Sequence, residues 1–436
     1  MNQDKIFTLF RAHPKICTDT RKIQSGDLFF ALKGDRFDGN KFAVQALEKG
    51  AGHVVMDNPE FYQADDPRMI LVPDSLKALQ ELALQYRRTF QVPFLGLTGS
   101  NGKTTTKELI ISVLQQQKKV AGTKGNFNNH IGVPLTLLDL PPDTEIALIE
   151  MGTNQPGDIQ ELTEIAEPSM GLITNIGYAH LERLLSLKGV QQEKGALYRS
   201  VKARGGMLFL NLSDPHLVDE IGDYDRVISY GTPEADFHLQ IAKEELGGTD
   251  MDVYSRFWTG PERFHLQLSG SYNALNALAA IAVGHHFGLS VGDMQQGLAA
   301  YQSTNNRSQL LQRARYDIWL DAYNANPSSM RAAIGHACER KDKKVALILG
   351  DMYELGPESE ALHAELGTYI NDFQPVMTVG VGEQMQAALQ QISSPTAWFV
   401  SAEAAQQEIV EKLGEADFIL LKGSRAMALE SLLEVL

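Results

Sequence analysis

A multidomain α/β protein built on mostly parallel sheets is what this sequence predicts, and three observations carry that prediction. Short apolar runs of the buried parallel-strand type recur from Val92 onward, among them Ile146-Ala147-Leu148-Ile149, Leu172-Ile173-Thr174-Asn175 and Met207-Leu208-Phe209-Leu210. Helix-period stretches separate them, the alternation of a doubly wound sheet. The chain has 436 residues, too many for one ordinary core, so two to four domains are expected.

Residues 1–90 read as a small α/β unit: strand-like Asp27 to Leu32, helix-like Lys41 to Lys49, strand-like His53 to Met56, and a closing helix from Leu76 to Phe90. Residues 91–305 carry the runs above together with Val227-Ile228-Ser229-Tyr230, then a more polar antiparallel excursion near 236–270 and an Ala-rich helix from Asn273 to Phe287. The polar stretch Ser303-Thr304-Asn305-Asn306 marks the next boundary. Residues 306–436 alternate Val345 to Leu349, Val376 to Val379 and Phe418 to Leu421 with helical segments, a second doubly wound unit.

Bulk properties narrow the function classes. A net charge of −15 argues against a non-specific nucleic-acid or anionic-membrane binder, because those depend on dense Lys/Arg surfaces. Cys17 and Cys338 are too few for a disulfide framework or a thiolate metal site, which fits a reducing cytoplasm. The N-terminus has no signal-peptide pattern and no apolar run reaches the length of a membrane span, so a soluble, cytoplasmic protein is expected.

The most informative segment is Gly96-Leu97-Thr98-Gly99-Ser100-Asn101-Gly102-Lys103-Thr104-Thr105-Thr106, set between the run at 92–95 and a stretch with apolar residues at 109, 110, 113 and 114. A glycine-rich turn at a helix N-terminus offers unpaired N–H groups and the positive end of the helix dipole to phosphate oxygens. Lys103 would reach the β/γ-phosphates of a nucleoside triphosphate and Thr104 would ligate Mg²⁺. Five residues separate Gly96 from Gly102 where the general pattern has four, so Thr98 to Thr104 is the more useful signature.

Other residues sit where strand ends meet a crevice. Glu150 follows the run Ile146 to Ile149 and is a candidate Mg²⁺ carboxylate, against the simpler reading of a surface acid. His180 and Lys194, by themselves, read as a hydrogen-bonding histidine and a solvated helix charge. The Asn-rich runs Gly125 to Pro134 and Asp321 to Pro327 are either turns and caps or amide donors to phosphate or acyl oxygens. His285, His286 and His363 read as cap, surface or packing residues, and Lys422 to Arg425 as a helix entry that also suits an anion.

Together these segments resemble the Mur ligase family, ATP-dependent enzymes that join an amino acid or dipeptide to a UDP-linked peptidoglycan precursor. The resemblance covers nearly the whole chain. It is carried by Thr18 to Arg21 with Gly26 to Gly34, Thr98 to Thr104, Gly125 to Pro134, Glu150 to Gly152, Asn175 to Glu182, Asp321 to Pro327, Gly350 to Gly356 and Lys422 to Arg425. It implies three domains: an N-terminal UDP-binding domain, a central P-loop ATPase and a Rossmann-like C-terminal domain that brings the incoming amine.

By that resemblance, Gly99, Ser100, Asn101, Gly102, Lys103, Thr104 and Thr105 hold the ATP phosphates, and Asn273, Arg307 and Asp321 contact adenine and ribose. Thr104 and Glu150 serve Mg²⁺, while His180 and Lys194, the latter as a CO₂-derived carbamate, serve a second metal. Asn128, Asn129, Asn324 and Asn326 place substrate, and Thr20, Arg21, Asp38, Gly39 and Asn40 lie where the UDP-sugar end is held. Arg183-Leu184-Leu185-Ser186 and Ala196 depart from the family's usual Gly-Phe-Gly-Ser and Glu. The implied reaction is transfer of D-alanyl-D-alanine to UDP-N-acetylmuramoyl-tripeptide through an acyl phosphate, by a monomer. Ligases adding one amino acid, folylpolyglutamate synthases and a non-catalytic nucleotide-binding regulator stand as the alternatives.

Overall fold

The computed structural model describes residues 2–34, 37–245, 247–303, 307–340 and 342–436, and among them the strands form three large sheets. The first is parallel, in the order Ile16–Cys17, Leu28–Phe30, His53–Met56, Met69–Leu71. Strand side chains alternate between two apolar faces. Phe30, Val55 and Ile70 pack with the helices Asn2–Ala12 and Ser75–Arg87, whereas Phe29, Val54 and Met56 pack with Ala43–Glu48. The Asp74 carboxylate accepts from the Lys77 N–H and starts the second of these helices.

That helix also joins the first sheet to the second. Phe10, Tyr86, Phe90 and Phe94 form a row of edge-to-face rings with centroids 5.1, 5.1 and 6.2 Å apart. The Arg87 guanidinium lies 3.6 Å above the Phe94 ring and donates to the carbonyls of Ala166 (2.8 Å) and Glu167 (2.9 Å), at the end of the helix Asp158–Ala166.

The second sheet runs Val120–Gly122, Ile146–Glu150, Phe94–Thr98, Met170–Ile173, Met207–Asn211, Val227–Gly231, Phe237–Glu245, all parallel. Gly248–Ser255 and Glu262–Leu266 then add two antiparallel strands, the excursion expected near 236–270. Leu95, Leu97, Ile146 and Leu148 face the helices Lys103–Leu114 and Ser271–His286. Their neighbours Phe94, Ala147 and Ile149 face Gly132–Leu138, Asp158–Ala166 and Leu187–Ala203.

The third sheet runs Gln309–Gln312, Asp317–Asp321, Phe418–Lys422, Val345–Gly350, Met377–Val381, Thr396–Phe399, parallel except for the first pair. Pro327–Cys338 and Ser359–Ile370 are its principal helices. The edge strands Val120–Gly122, Gln309–Gln312 and Thr396–Phe399 are not fully buried and lack the continuous apolar run that marked the central ones. The boundary expected between 305 and 306 lies outside the described residues.

Candidate active site

The carboxyl ends of the second and third sheets line one cavity of about 730 Å³. Its floor is the loop between Phe94–Thr98 and Lys103–Leu114. Gly99 has φ +150°, and a Cβ there would lie 1.9 Å from Thr174 Oγ1. Gly102 has φ +76° and a Cβ would lie 2.7 Å from Asn276 Oδ1, so both positions need the missing side chain. Gly96, by contrast, is buried inside the strand, which accounts for the unusual glycine spacing.

The segment after Met170–Ile173 clamps this loop. Asn175 accepts from the Ser100 N–H through its carbonyl (2.9 Å) and from the Asn101 N–H through Oδ1 (3.0 Å). Thr174 Oγ1 and Asn175 Nδ2 donate to the Asn101 carbonyl at 2.6 and 3.0 Å. Ser100 Oγ donates to the Gly177 carbonyl and accepts from its N–H. Lys103 Nζ folds back to donate to the carbonyl of Gly99 (2.7 Å), and burial lowers its pKa.

Glu150 ends its strand beneath this loop and is buried. Its Oε1 accepts from Thr104 Oγ1 (3.2 Å) and Asn128 Nδ2 (2.9 Å), and its N–H donates to Thr123 Oγ1 (2.9 Å). Lys107 Nζ lies 3.3 Å from Oε2, near enough for an ion pair but without hydrogen-bond geometry. Asn129 Oδ1 caps the turn into Gly132–Leu138, accepting from the N–H groups of Ile131 and Gly132.

The third sheet supplies the opposite wall. Asp321 and Lys422 are register partners at adjacent strand ends, and Lys422 Nζ donates to Asp321 Oδ2. Asp321 Oδ1 also accepts from the Ser308 N–H (3.2 Å). Arg307 stacks over the Tyr323 ring at 3.6 Å, and Asn273 Nδ2 donates to the Ser269 carbonyl. Asn326 caps Pro327–Cys338 and reaches back with Nδ2 to Asn101 Oδ1 (2.7 Å), while Asn101 Nδ2 donates to Ser328 Oγ (3.0 Å). Asn324 Oδ1 accepts from the Ala325 N–H.

His180 caps the short helix Leu181–Leu184, with Nδ1 2.7 Å from Glu354 Oε2. The bond from His180 holds the Glu354 carboxyl below the usual range. Lys194, within Leu187–Ala203, is fully enclosed, and its Nζ has no hydrogen-bond partner. Burial first, and the charge of Lys103 second, push its pKa well below that of an ordinary lysine. Of the four residues read as metal-binding, Thr104 and Glu150 touch, His180 is bonded to Glu354, and Lys194 stands apart from the cavity lining. Among the described residues no group of three or more His, Cys, Asp or Glu side chains is placed to hold a metal.

Three family models match in succession: the Mur ligase family catalytic domain over residues 15–87, the Mur ligase middle domain over 97–284, and the Mur ligase glutamate ligase domain over 306–425. A UDP-N-acetylmuramoyl-tripeptide:D-alanyl-D-alanine ligase of Bacillus subtilis (strain 168) is 37% identical over 428 residues, 96% of this chain and 92% of its own. The chain belongs to the Mur ligase family.

Solved structures agree with that membership. MurF from Acinetobacter baumannii superposes with a TM-score of 0.89 at 30% identity, over 96% of this chain and 92% of the other. MurF ligase from Thermotoga maritima in complex with ADP gives 0.87 at 27%, over 97% and 96%.

Within this Mur ligase the five residues read as UDP contacts lie away from the cavity. Asn40 is fully enclosed: Nδ2 donates to Asp38 (2.7 Å) and Asp57 (2.9 Å), and Oδ1 accepts from the N–H groups of Asp57 and Asn58. Its side chain thereby organises the turn from within the domain. Gly39 packs against the Leu32 backbone, where a Cβ would come within 2.4 Å of the carbonyl oxygen. Thr20 is half-buried, whereas Arg21 is exposed and paired to Asp19.

Residues that sequence reasoning missed do much of the holding. Lys107, one turn beyond Lys103, sets its charge against Glu150. Asn276 lines the cavity beside Gly102. Glu193 accepts from the N–H groups of Gly157 and Ile159 (both 2.7 Å) and from Thr153 Oγ1 (3.1 Å), fixing the turn after Glu150. His363, read as a cap, surface or packing residue, is enclosed: Nε2 accepts from the Met352 N–H, so Nδ1 carries the proton it donates to the Ser359 carbonyl.

Proposed function

We propose that this Mur ligase joins D-alanyl-D-alanine to UDP-N-acetylmuramoyl-tripeptide at the expense of ATP, in peptidoglycan precursor synthesis. The observation that carries the reading is convergence: a phosphate loop and Glu150 on one sheet face Asp321, Asn324 and Asn326 on another across a single cavity. The chain divides into a UDP-substrate domain (1–90), an ATP-binding ligase domain (91–305) and a dipeptide-binding domain (306–436).

ATP lies with its phosphates on the N–H groups from Gly99 to Thr105. Lys103 swings from the Gly99 carbonyl to the β/γ-phosphates. Arg307, Asn273 and the Asp321 carboxylate, steadied by Lys422, hold adenine and ribose. The tripeptide's terminal carboxylate oxygen attacks the γ-phosphorus, breaking its bond to ADP and forming an acyl phosphate. The dipeptide amine, placed by Asn324 and Asn326, then forms the C–N bond, phosphate departs with the C–O electron pair, and the amine loses a proton. Lys103 balances charge on the phosphoryl group in flight.

The paired Thr104 and Glu150 oxygens are hard donors that suit Mg²⁺, which when bound supplies charge neutralisation at the phosphates. The enclosed, unpartnered and easily deprotonated amine of Lys194 suits addition of CO₂, giving a carboxylate that with His180 would complete a second cation site. Asn128 and Asn129 border the site of the acceptor peptide, and Thr20, Arg21, Asp38, Gly39 and Asn40 hold the UDP end. We read the enzyme as a monomer, and its nucleotide substrates suit a reaction in the cytoplasm.

The test is purified protein with ATP, Mg²⁺, UDP-N-acetylmuramoyl-tripeptide and D-alanyl-D-alanine, followed by phosphate release and product mass. One phosphate for each pentapeptide product is expected. Turnover with a single amino acid or a folate instead, or ATP binding without turnover, would overturn the proposal.

A further inference from the structure

We propose that Glu354 is a positioning residue for His180, supplied by the C-terminal unit so that the imidazole is set only when that unit is docked; this rests on the reading of His180 as a cation ligand. Glu354 Oε2 meets His180 Nδ1 at 2.7 Å across the junction of the second and third sheets. A second link lies beside it, the Glu182 N–H donating to the Glu354 carbonyl at 3.1 Å. Gly356 then seats against Glu182, where a Cβ would come within 3.0 Å of its Cα.

Both ends of the contact are held in unusual backbone conformations. His180 has φ +53° and Glu354 has φ +64°, each a strained region for residues with a side chain. The segment carrying Glu354 is pinned from its own side. The Met352 N–H donates to His363 Nε2 (3.0 Å), the Tyr353 N–H to Ser424 Oγ (3.0 Å), the Ser424 N–H to the Asp351 carbonyl (3.1 Å), and the Met385 N–H to Asp351 Oδ1 (2.9 Å). A stiff arm of the third sheet thus ends in a carboxylate on one nitrogen of the imidazole.

A carboxylate on Nδ1 keeps the proton there and leaves the Nε2 lone pair free to face a cation, besides fixing the ring plane. Because the carboxylate belongs to the C-terminal unit, docking of that unit and readiness of His180 become one event. Water-exposed, half-closed forms of the cavity would then lack an oriented His180 and would not spend ATP unproductively.

The experiment uses the full-length protein and its Glu354→Ala, Glu354→Gln and His180→Ala variants. In ¹⁵N-histidine spectra of the nucleotide-free protein, with the His180 signal assigned by its loss in His180→Ala, the wild type should show the Nδ1–H tautomer. Glu354→Ala should shift that signal toward a tautomer mixture and lower kcat by about 10- to 100-fold with little change in the KM for ATP. Glu354→Gln, whose amide oxygen can still accept from Nδ1, should keep the tautomer and most of kcat. A Glu354→Ala protein with the wild-type His180 signal and full kcat, while His180→Ala is inactive, overturns this inference alone. Full activity in His180→Ala instead removes the reading on which it rests.

Discussion

Replacing Lys103 with alanine tests the phosphate-transfer reading most directly. In the structure its ammonium already donates to the Gly99 carbonyl at 2.7 Å, so reaching a phosphate means exchanging one bond for another. Loss of a donor aimed at transition-state charge costs about 3–4 kcal/mol in a water-poor site. Giving up the neutral Gly99 bond offsets about 1 kcal/mol of that. The remaining 2–3 kcal/mol, roughly, corresponds to a fall in kcat of about 30- to 150-fold. Phosphate release at saturating substrates measures it, with a melting curve to confirm that the fold survives. Lys103→Arg should not rescue, because a broad planar fork cannot take the place of a compact charge inside the loop. A Lys103→Ala enzyme with kcat within about threefold of wild type would refute the reasoning.

Three further perturbations follow from the same geometry. Gly99→Ala puts a methyl group where Thr174 Oγ1 stands, at 1.9 Å, so the loop must move; the KM for ATP should rise by about tenfold or more, and an unchanged value would count against the loop's role. Lys422→Met strands the Asp321 carboxylate, which keeps some solvent, so calorimetry should show a loss near the lower end of about 3–5 kcal/mol, partly recovered by adding Asp321→Asn; equal stability of Lys422→Met and wild type would contradict this. Lys194→Met removes an enclosed amine with no partner and should melt no lower than wild type while losing ligase activity. Since the folded-state pKa of Lys194 lies below its unfolded value of about 10.4, the unfolded chain holds the extra proton and wild-type stability rises with pH across that interval. Melting curves of Lys194→Met should show a shallower rise, and an identical slope would refute it.

How much of this was legible in the sequence depended on the range of the interaction. The phosphate loop was readable because its glycines, lysine and threonine act within one turn of chain, and Glu150 because a strand end points at a crevice. The central strands announced themselves as continuous apolar runs, while the edge strands did not, since water covers part of them. Lys107 drew no notice in the sequence, yet it is enclosed with Glu150, a partner 43 positions away in the chain. Glu193 gave no local signal, and Glu354, though inside the segment Gly350 to Gly356, gave no sign of its partner, because each acts through backbone or imidazole groups that only the tertiary fold brings near. Asn40 is the opposite case: a polar residue beside glycine stands out in the sequence, whereas the use of its amide inside the domain does not.

The row of rings from Phe10 to Phe94 has a mechanical meaning. It welds the first sheet to the strand that feeds the phosphate loop, with Arg87 clamped across the weld, so these two bodies form one jaw. The opposing jaw is joined to it largely through polar links, among them Asn101 to Asn326, Asn101 to Ser328, His180 to Glu354 and His336 to Glu244, and water can replace the more exposed of these at small cost. Freedom to open is thereby concentrated at that junction, and a compound wedged between Glu354 and His180 would jam the clamp away from the phosphate loop.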